Sequence, residues 1–309
     1  MAKYAAITGK YIYVTVEGIE YRVYFEEAGT GIPIVCQHTA GSDGRQWRHL
    51  LEDPDLTKRF RFIAIDLPYH GKSLPPDSVR FWEQKYELHK DWFMNFWIEL
   101  IRELELVQPV YMGCSMGGHL AGDLALNYPD EFAACIGLEA SLWSGNMERL
   151  IDQWWHHPRL SNESKPAMML SLCSPNAPEE RVRETVWMYS QGAPSVFVGD
   201  LVYYGIEHDL RDTAGDIDTS KCMLYVLGGD YDWSAHPAAC KELCDAVKGS
   251  SYTLMEGMGH FPMSEDPKKF KEYLLSQLCS PFYSIKNTCV GYLKINKLSK
   301  TFVDYHIIP

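Results

Sequence analysis

The segment Pro109-Val110-Tyr111-Met112-Gly113-Cys114-Ser115-Met116-Gly117-Gly118 decides the fold of the chain. A short apolar run of strand type stops at Gly113, and Ser115 stands between two glycines spaced two residues on either side. The continuation His119-Leu120-Ala121-Gly122-Asp123-Leu124-Ala125-Leu126 has the small, apolar character of a buried helix. Strand, Gly-x-Ser-x-Gly and helix together predict a sharp turn that lifts the Ser115 hydroxyl clear of a sheet. The positive end of the following helix then favours negative charge developing beside it. Gly113 and Gly117 are expected where a side chain would strike the neighbouring strand or helix.

Strand-type runs surround this turn on both sides. Residues 11–28, rich in β-branched and aromatic side chains with Glu17-Gly18 between, predict a β-hairpin. Ile32-Pro33-Ile34-Val35-Cys36, Arg61 to Asp66, Phe132 to Glu139, Cys222 to Leu227 and Ser251 to Met255 are further strands. Most lack polar–apolar alternation, the mark of a mainly parallel sheet buried on both faces. Between Glu83 and Leu106 apolar residues recur at Leu88, Trp92, Phe96, Leu100 and Leu104, which predicts a long amphipathic helix. Helices are also expected near Arg45–Leu51 and Pro237–Val247, and from Pro267 to Leu278 with Asp266 as its cap.

The strand–helix alternation lapses between residues 141 and 220, where prolines punctuate short helical pieces rich in Trp, His and Tyr. This predicts a helical cap inserted after the sixth strand. The expected organisation is a core of residues 1–140 and 221–280, the cap at 141–220, and an appendage at 281–309. Beyond Pro281 four lysines appear with no acid before Asp304.

Composition narrows the partners. A net charge of −12 over 309 residues, with no basic stripe, speaks against nucleic acid and anionic membrane. The nine cysteines are odd in number, and several lie in apolar runs, so they are expected to be free thiols in a reducing, cytoplasmic setting. No targeting segment or spanning apolar run is expected, and no zinc site. A homodimer is compatible with the composition.

Three residues stand just past the carboxyl ends of strands: Ser115, Asp232 in Gly229-Asp230-Tyr231-Asp232, and His260 in Gly257-Met258-Gly259-His260. Ligands bind at that edge of an open α/β sheet. A hydroxyl becomes nucleophilic when a base takes its proton and a carboxylate orients that base. His260 is expected as the base and Asp232 as the acid, with Asp230 the competitor two residues away and Glu139 an outside candidate. For an oxyanion hole, Met116 supplies one backbone N–H, and the loop after Cys36 the other, Ala40 ahead of Thr39. His38 is expected to brace that loop.

These motifs, over residues 10 to 280, resemble the α/β-hydrolases of the cap-bearing esterase, lactonase and C–C hydrolase group. The resemblance rests on His38-Thr39-Ala40-Gly41, Gly113-Cys114-Ser115-Met116-Gly117-Gly118 and the two turns carrying Asp232 and His260. It implies a mostly parallel sheet with helices on both faces, no cofactor, no metal, and cleavage of a small ester or lactone. A C–C bond hydrolase, an acyltransferase and a non-enzymatic ligand receptor are the alternatives. Cap aromatics Trp143, Trp154, Trp155, Trp187 and Tyr204, with His38 and Thr39, are expected to meet a largely apolar substrate.

Overall fold

A computed structural model describes residues 2, 4–152 and 164–278. Its sheet has eight strands: β1 (Thr8–Val16), β2 (Ile19–Gly29), β3 (Ile32–Gln37), β4 (Phe60–Ile65), β5 (Val110–Cys114), β6 (Ala134–Leu138), β7 (Met223–Gly229) and β8 (Ser251–Met255). The spatial order is β1-β2-β4-β3-β5-β6-β7-β8. Only the pairings β1/β2 and β2/β4 are antiparallel. The β1–β2 turn is made by Glu17 and Gly18, both at positive φ, as a two-residue hairpin turn matched to strand twist requires.

Strand β4 lies on one side of β3 and β5 on the other, so the chain changes direction across the sheet between β3 and β5. Such a switch point opens a crevice at the carboxyl ends of the two strands. The loops that follow them begin at His38 and Ser115. Strands β5 and β6 are buried at every residue, which is why their sequences show no alternation. Helix Met116–Asn127 packs on both of them, and Pro237–Ala246 covers β7 and β8.

The helix expected from Glu83 begins instead at Lys90 and ends at Glu103. Leu88 donates its N–H to Gly199 O at 3.0 Å, across to the inserted segment, which withdraws that group from a helical bond. A Cβ on Gly199 would lie 2.3 Å from Tyr86 O, so residues 84–89 run alongside the backbone of another element. A long-range backbone contact thus overrides a local apolar repeat.

Between β6 and β7 the described residues form helices and turns and no strand: Ser164–Leu172, Glu179–Tyr189, Val196–Val202 and the wider turn Tyr203–Glu207 are the main pieces. Residues 1–271 make one compact unit, the insertion included. The second unit starts at Glu272, inside the closing helix Pro267–Leu278. The appendage expected at 281–309 lies outside the described residues. All seven described cysteines are free, and six are buried. None of the described helices is long and apolar enough to cross a membrane.

Candidate active site

Ser115 has φ 57° and ψ −115°, a strained conformation for a residue with a side chain, held between β5 and the helix that starts at Met116. Its neighbours leave no room. A Cβ on Gly113 would lie 2.3 Å from Gly117 O, one on Gly117 2.7 Å from Gln37 Cγ, and one on Gly118 2.1 Å from Leu138 O. Close approach of helix and strands therefore dictates the glycines around the serine, as the sequence predicts for 113 and 117.

Asp232 follows β7 and His260 follows β8. His260 Nδ1–H donates to Asp232 Oδ2 at 2.6 Å, which leaves Nε2 as the lone-pair nitrogen. The other oxygen, Oδ1, accepts the Ser234 N–H at 2.8 Å and its hydroxyl at 2.9 Å. Burial raises the Asp232 pKa, but His260 and Ser234 outweigh it and bring the group down to about 2. Asp230 turns elsewhere: its carboxylate accepts the Gly257 N–H at 2.6 Å and so shapes the histidine loop. Glu139, after β6, accepts the Gly229 N–H at 2.9 Å from inside the core. Burial, followed by the charge of Asp232 beside it, pushes the Glu139 carboxyl well above the usual range.

The inserted segment also fixes the histidine loop. His260 N–H donates to Leu172 O at 3.0 Å, and a Cβ on Gly259 would lie 2.4 Å from Ser174 N. On the opposite side Cys114 Sγ lies 3.2 Å from His260 O, tying the turns that carry Ser115 and His260 together.

The loop after β3 shows which N–H is available. Thr39 N–H donates to Gln46 Oε1 at 2.9 Å and Gly41 N–H to Asp200 Oδ2 at 2.7 Å, which leaves Ala40 N–H between them without a partner among the described residues. Met116 N–H opens its helix and has no intrahelical acceptor. His38 is a brace: Nδ1–H donates to Thr39 O at 2.8 Å and Nε2 accepts Leu67 N–H at 3.1 Å. Burial, then the neighbouring His70, lowers its pKa to about 4, so the ring is neutral.

Ser115, His260, Ala40 and Thr39 line one cavity of about 540 Å³. No Lys, Arg, Asp or Glu lines it among the described residues, and Met147, Met168, Met169, Phe197 and Leu201 give it an apolar, adaptable wall. Most of its polar side chains are already committed to protein partners. Thr39 and the Tyr189 hydroxyl bond to each other, His119 uses both nitrogens on Ser115 O and Ser141 Oγ, and Trp233 Nε1–H donates to Ser171 O. Ser115 Oγ, His260 Nε2 and the Tyr204 hydroxyl form no hydrogen bond among the described residues.

Of the expected cap aromatics among the described residues, only Tyr204 lines this cavity. Trp143 is 39% exposed with Arg211 stacked over its ring, and Trp187 is 67% exposed. Neither borders the cavity, and Trp154 and Trp155 lie outside the described residues. Sequence reasoning missed Ser234, Tyr189, His119 and the methionines. Ser234 alone carried a local signal, two residues past Asp232.

Fold and strand-end arrangement define an α/β-hydrolase-fold protein. A family model described as alpha/beta hydrolase fold matches residues 32–166. Pimeloyl-[acyl-carrier protein] methyl ester esterase of Vibrio vulnificus is 22% identical over 268 residues, covering 82% of this chain and 97% of that protein. A 2-hydroxy-6-oxononadienedioate/2-hydroxy-6-oxononatrienedioate hydrolase of Burkholderia vietnamiensis is 30% identical over 132 residues, 42% of this chain and 43% of the other. Among solved structures, a thermophilic esterase from Thermogutta terrifontis superposes with TM-score 0.75 at 21% identity, covering 87% of this chain and 98% of that one.

Proposed function

We propose that the protein is a serine hydrolase that cleaves an uncharged, mostly apolar carboxylic ester or lactone through an acyl-enzyme. The observation carrying this reading is the 2.6 Å bond from His260 Nδ1–H to Asp232, with Ser115 and His260 in the same cavity. Ser115 Oγ attacks the carbonyl carbon while His260 Nε2 takes its proton. Asp232 holds the ring and stabilises the imidazolium. The oxygen that gains charge meets the Ala40 and Met116 N–H groups. Collapse expels the alcohol, which takes the proton back from Nε2. Water, deprotonated by His260, then releases the acid and restores Ser115.

The apolar wall bears on the choice of bond. A substrate with two carboxylates, as the name of the Burkholderia relative states for its own, would bury charge against a wall without cations among the described residues. That favours a neutral ester or lactone over such a diketo acid. The test is a panel of p-nitrophenyl esters of increasing chain length, simple lactones and a vinylogous diketone. Turnover of neutral esters or lactones well above the diketone is expected. Cleavage of the diketone without ester turnover would overturn the assignment.

A further inference from the structure

We propose that Asp200, on the inserted helix Val196–Val202, is a positioning residue of the oxyanion hole. The proposal rests on the hydrolase reading above and adds the origin of the loop geometry that reading needs. Three successive N–H groups follow His38. Gln46 takes the first and Asp200 the third, so the peptide between them can aim only the Ala40 N–H at the cavity. Gly41, whose N–H Asp200 holds, has φ +66°, and a Cβ there would lie 2.7 Å from Phe197 Cβ on the same inserted helix. The helix thus grips the loop both by a hydrogen bond and by contact.

The carboxylate is built into a clamp of three core segments. Besides Gly41 N–H at 2.7 Å, Oδ2 accepts His70 Nε2–H at 2.9 Å, and Oδ1 accepts the Tyr86 hydroxyl at 2.9 Å. His70 Nδ1 faces Pro68 O at 3.0 Å, an acceptor, so both ring nitrogens donate and the ring carries a positive charge. Asp200 is fully buried, and its charge is matched inside the clamp. Ionisable neighbours of the clamp include neutral His38, whose ring centroid lies 4.7 Å from that of His70, as well as Asp43 and Lys165. The consequence is functional. The oxyanion hole is complete only while the insertion is seated on the core.

Two substitutions test this against a role as a mere strap. Asp200→Asn keeps the size but presents one acceptor instead of two. Asp200→Glu keeps the charge but displaces the carboxylate by one methylene, and stands in should Asp200→Asn not fold. On p-nitrophenyl butyrate each is expected to lower kcat about 10–100-fold with KM changed by less than about threefold. Inhibition by a trifluoromethyl ketone, which binds as an oxyanion-bearing hemiketal, should weaken by the same factor as kcat/KM. Tyr86→Phe removes one of the three bonds that hold the carboxylate but not the Gly41 bond, and should lower kcat less than either Asp200 variant. Wild-type turnover with unchanged kcat in both Asp200 variants would overturn the proposal alone. Absence of wild-type turnover and of fluorophosphonate labelling would remove the hydrolase reading, and this proposal with it.

Discussion

Asp232 faces His260 and not solvent: its Oδ2 accepts the imidazole Nδ1–H at 2.6 Å, and the carboxylate is 1% exposed. Asp230, two residues earlier, is engaged with the Gly257 N–H. Asp232→Asn should therefore reverse the tautomer preference of His260 and lower kcat by about 10⁴. Asp230→Asn should cost far less, because it loosens a loop without touching the imidazole. Steady-state kinetics on a p-nitrophenyl ester compare the two, and a larger loss at 230 would contradict the assignment.

Among the described residues, the Tyr204 hydroxyl is the polar group left over in the cavity once Ser115 and His260 are set aside. Tyr204→Phe is expected to lower kcat/KM about 3–10-fold for esters carrying a second oxygen, in line with one hydrogen bond, and to leave plain alkyl esters unaffected. Trp187→Ala, at an exposed side chain that does not line the cavity, should leave both substrates within about twofold. Equal losses on both ester types in Tyr204→Phe would remove a polar role for the hydroxyl.

Gly118 lies inside the elbow helix, where Ala would ordinarily add about 0.5–1 kcal/mol of stability. Here the added methyl meets Leu138 O at 2.1 Å, and helix and strand must part. Gly118→Ala is expected to destabilise by about 1–3 kcal/mol, read as a lower denaturation midpoint at unchanged m-value. A midpoint at or above wild type would show that the approach is looser than described.

Burial works against the charge of His70, yet Asp200 more than compensates and holds its pKa above the usual histidine value of 6.5. A raised histidine contributes stability that is present in full below pH about 6.5 and is lost as pH rises through the higher folded value. His70→Gln should therefore lower Tm more at pH 6 than at pH 9. A deficit independent of pH would contradict a charged pair.

Much of this was legible in the sequence, for reasons tied to particular residues. The turn at Ser115 is local, so the glycines at 113 and 117 announce it. Strands buried on both faces announce themselves by unbroken apolar runs. His260 and Asp232 follow from chain order and strand ends, yet the choice between Asp230 and Asp232 is one of side-chain direction, which spacing does not encode. The start of the helix at Lys90 depends on Gly199, more than a hundred residues away. The aromatic-rich insertion misled in the opposite sense. Trp143 and Trp187 are exposed, and the wall is made by methionines and leucines whose apolar character marks any core. Asp200 gave no signal, because a single acid in an apolar helix is informative only once Gly41, His70 and Tyr86 are beside it.

In the proposed mechanism Ser115 is the nucleophile, activated by His260. Intact-protein mass spectrometry after incubation with a fluorophosphonate tests it most directly. One adduct per chain on the wild type, mapped to Ser115 by peptide analysis and absent from Ser115→Ala, is the predicted result, with ester turnover in that variant reduced on the order of 10⁴–10⁶-fold. An adduct of equal yield on Ser115→Ala, or ester turnover that survives the substitution, would contradict it.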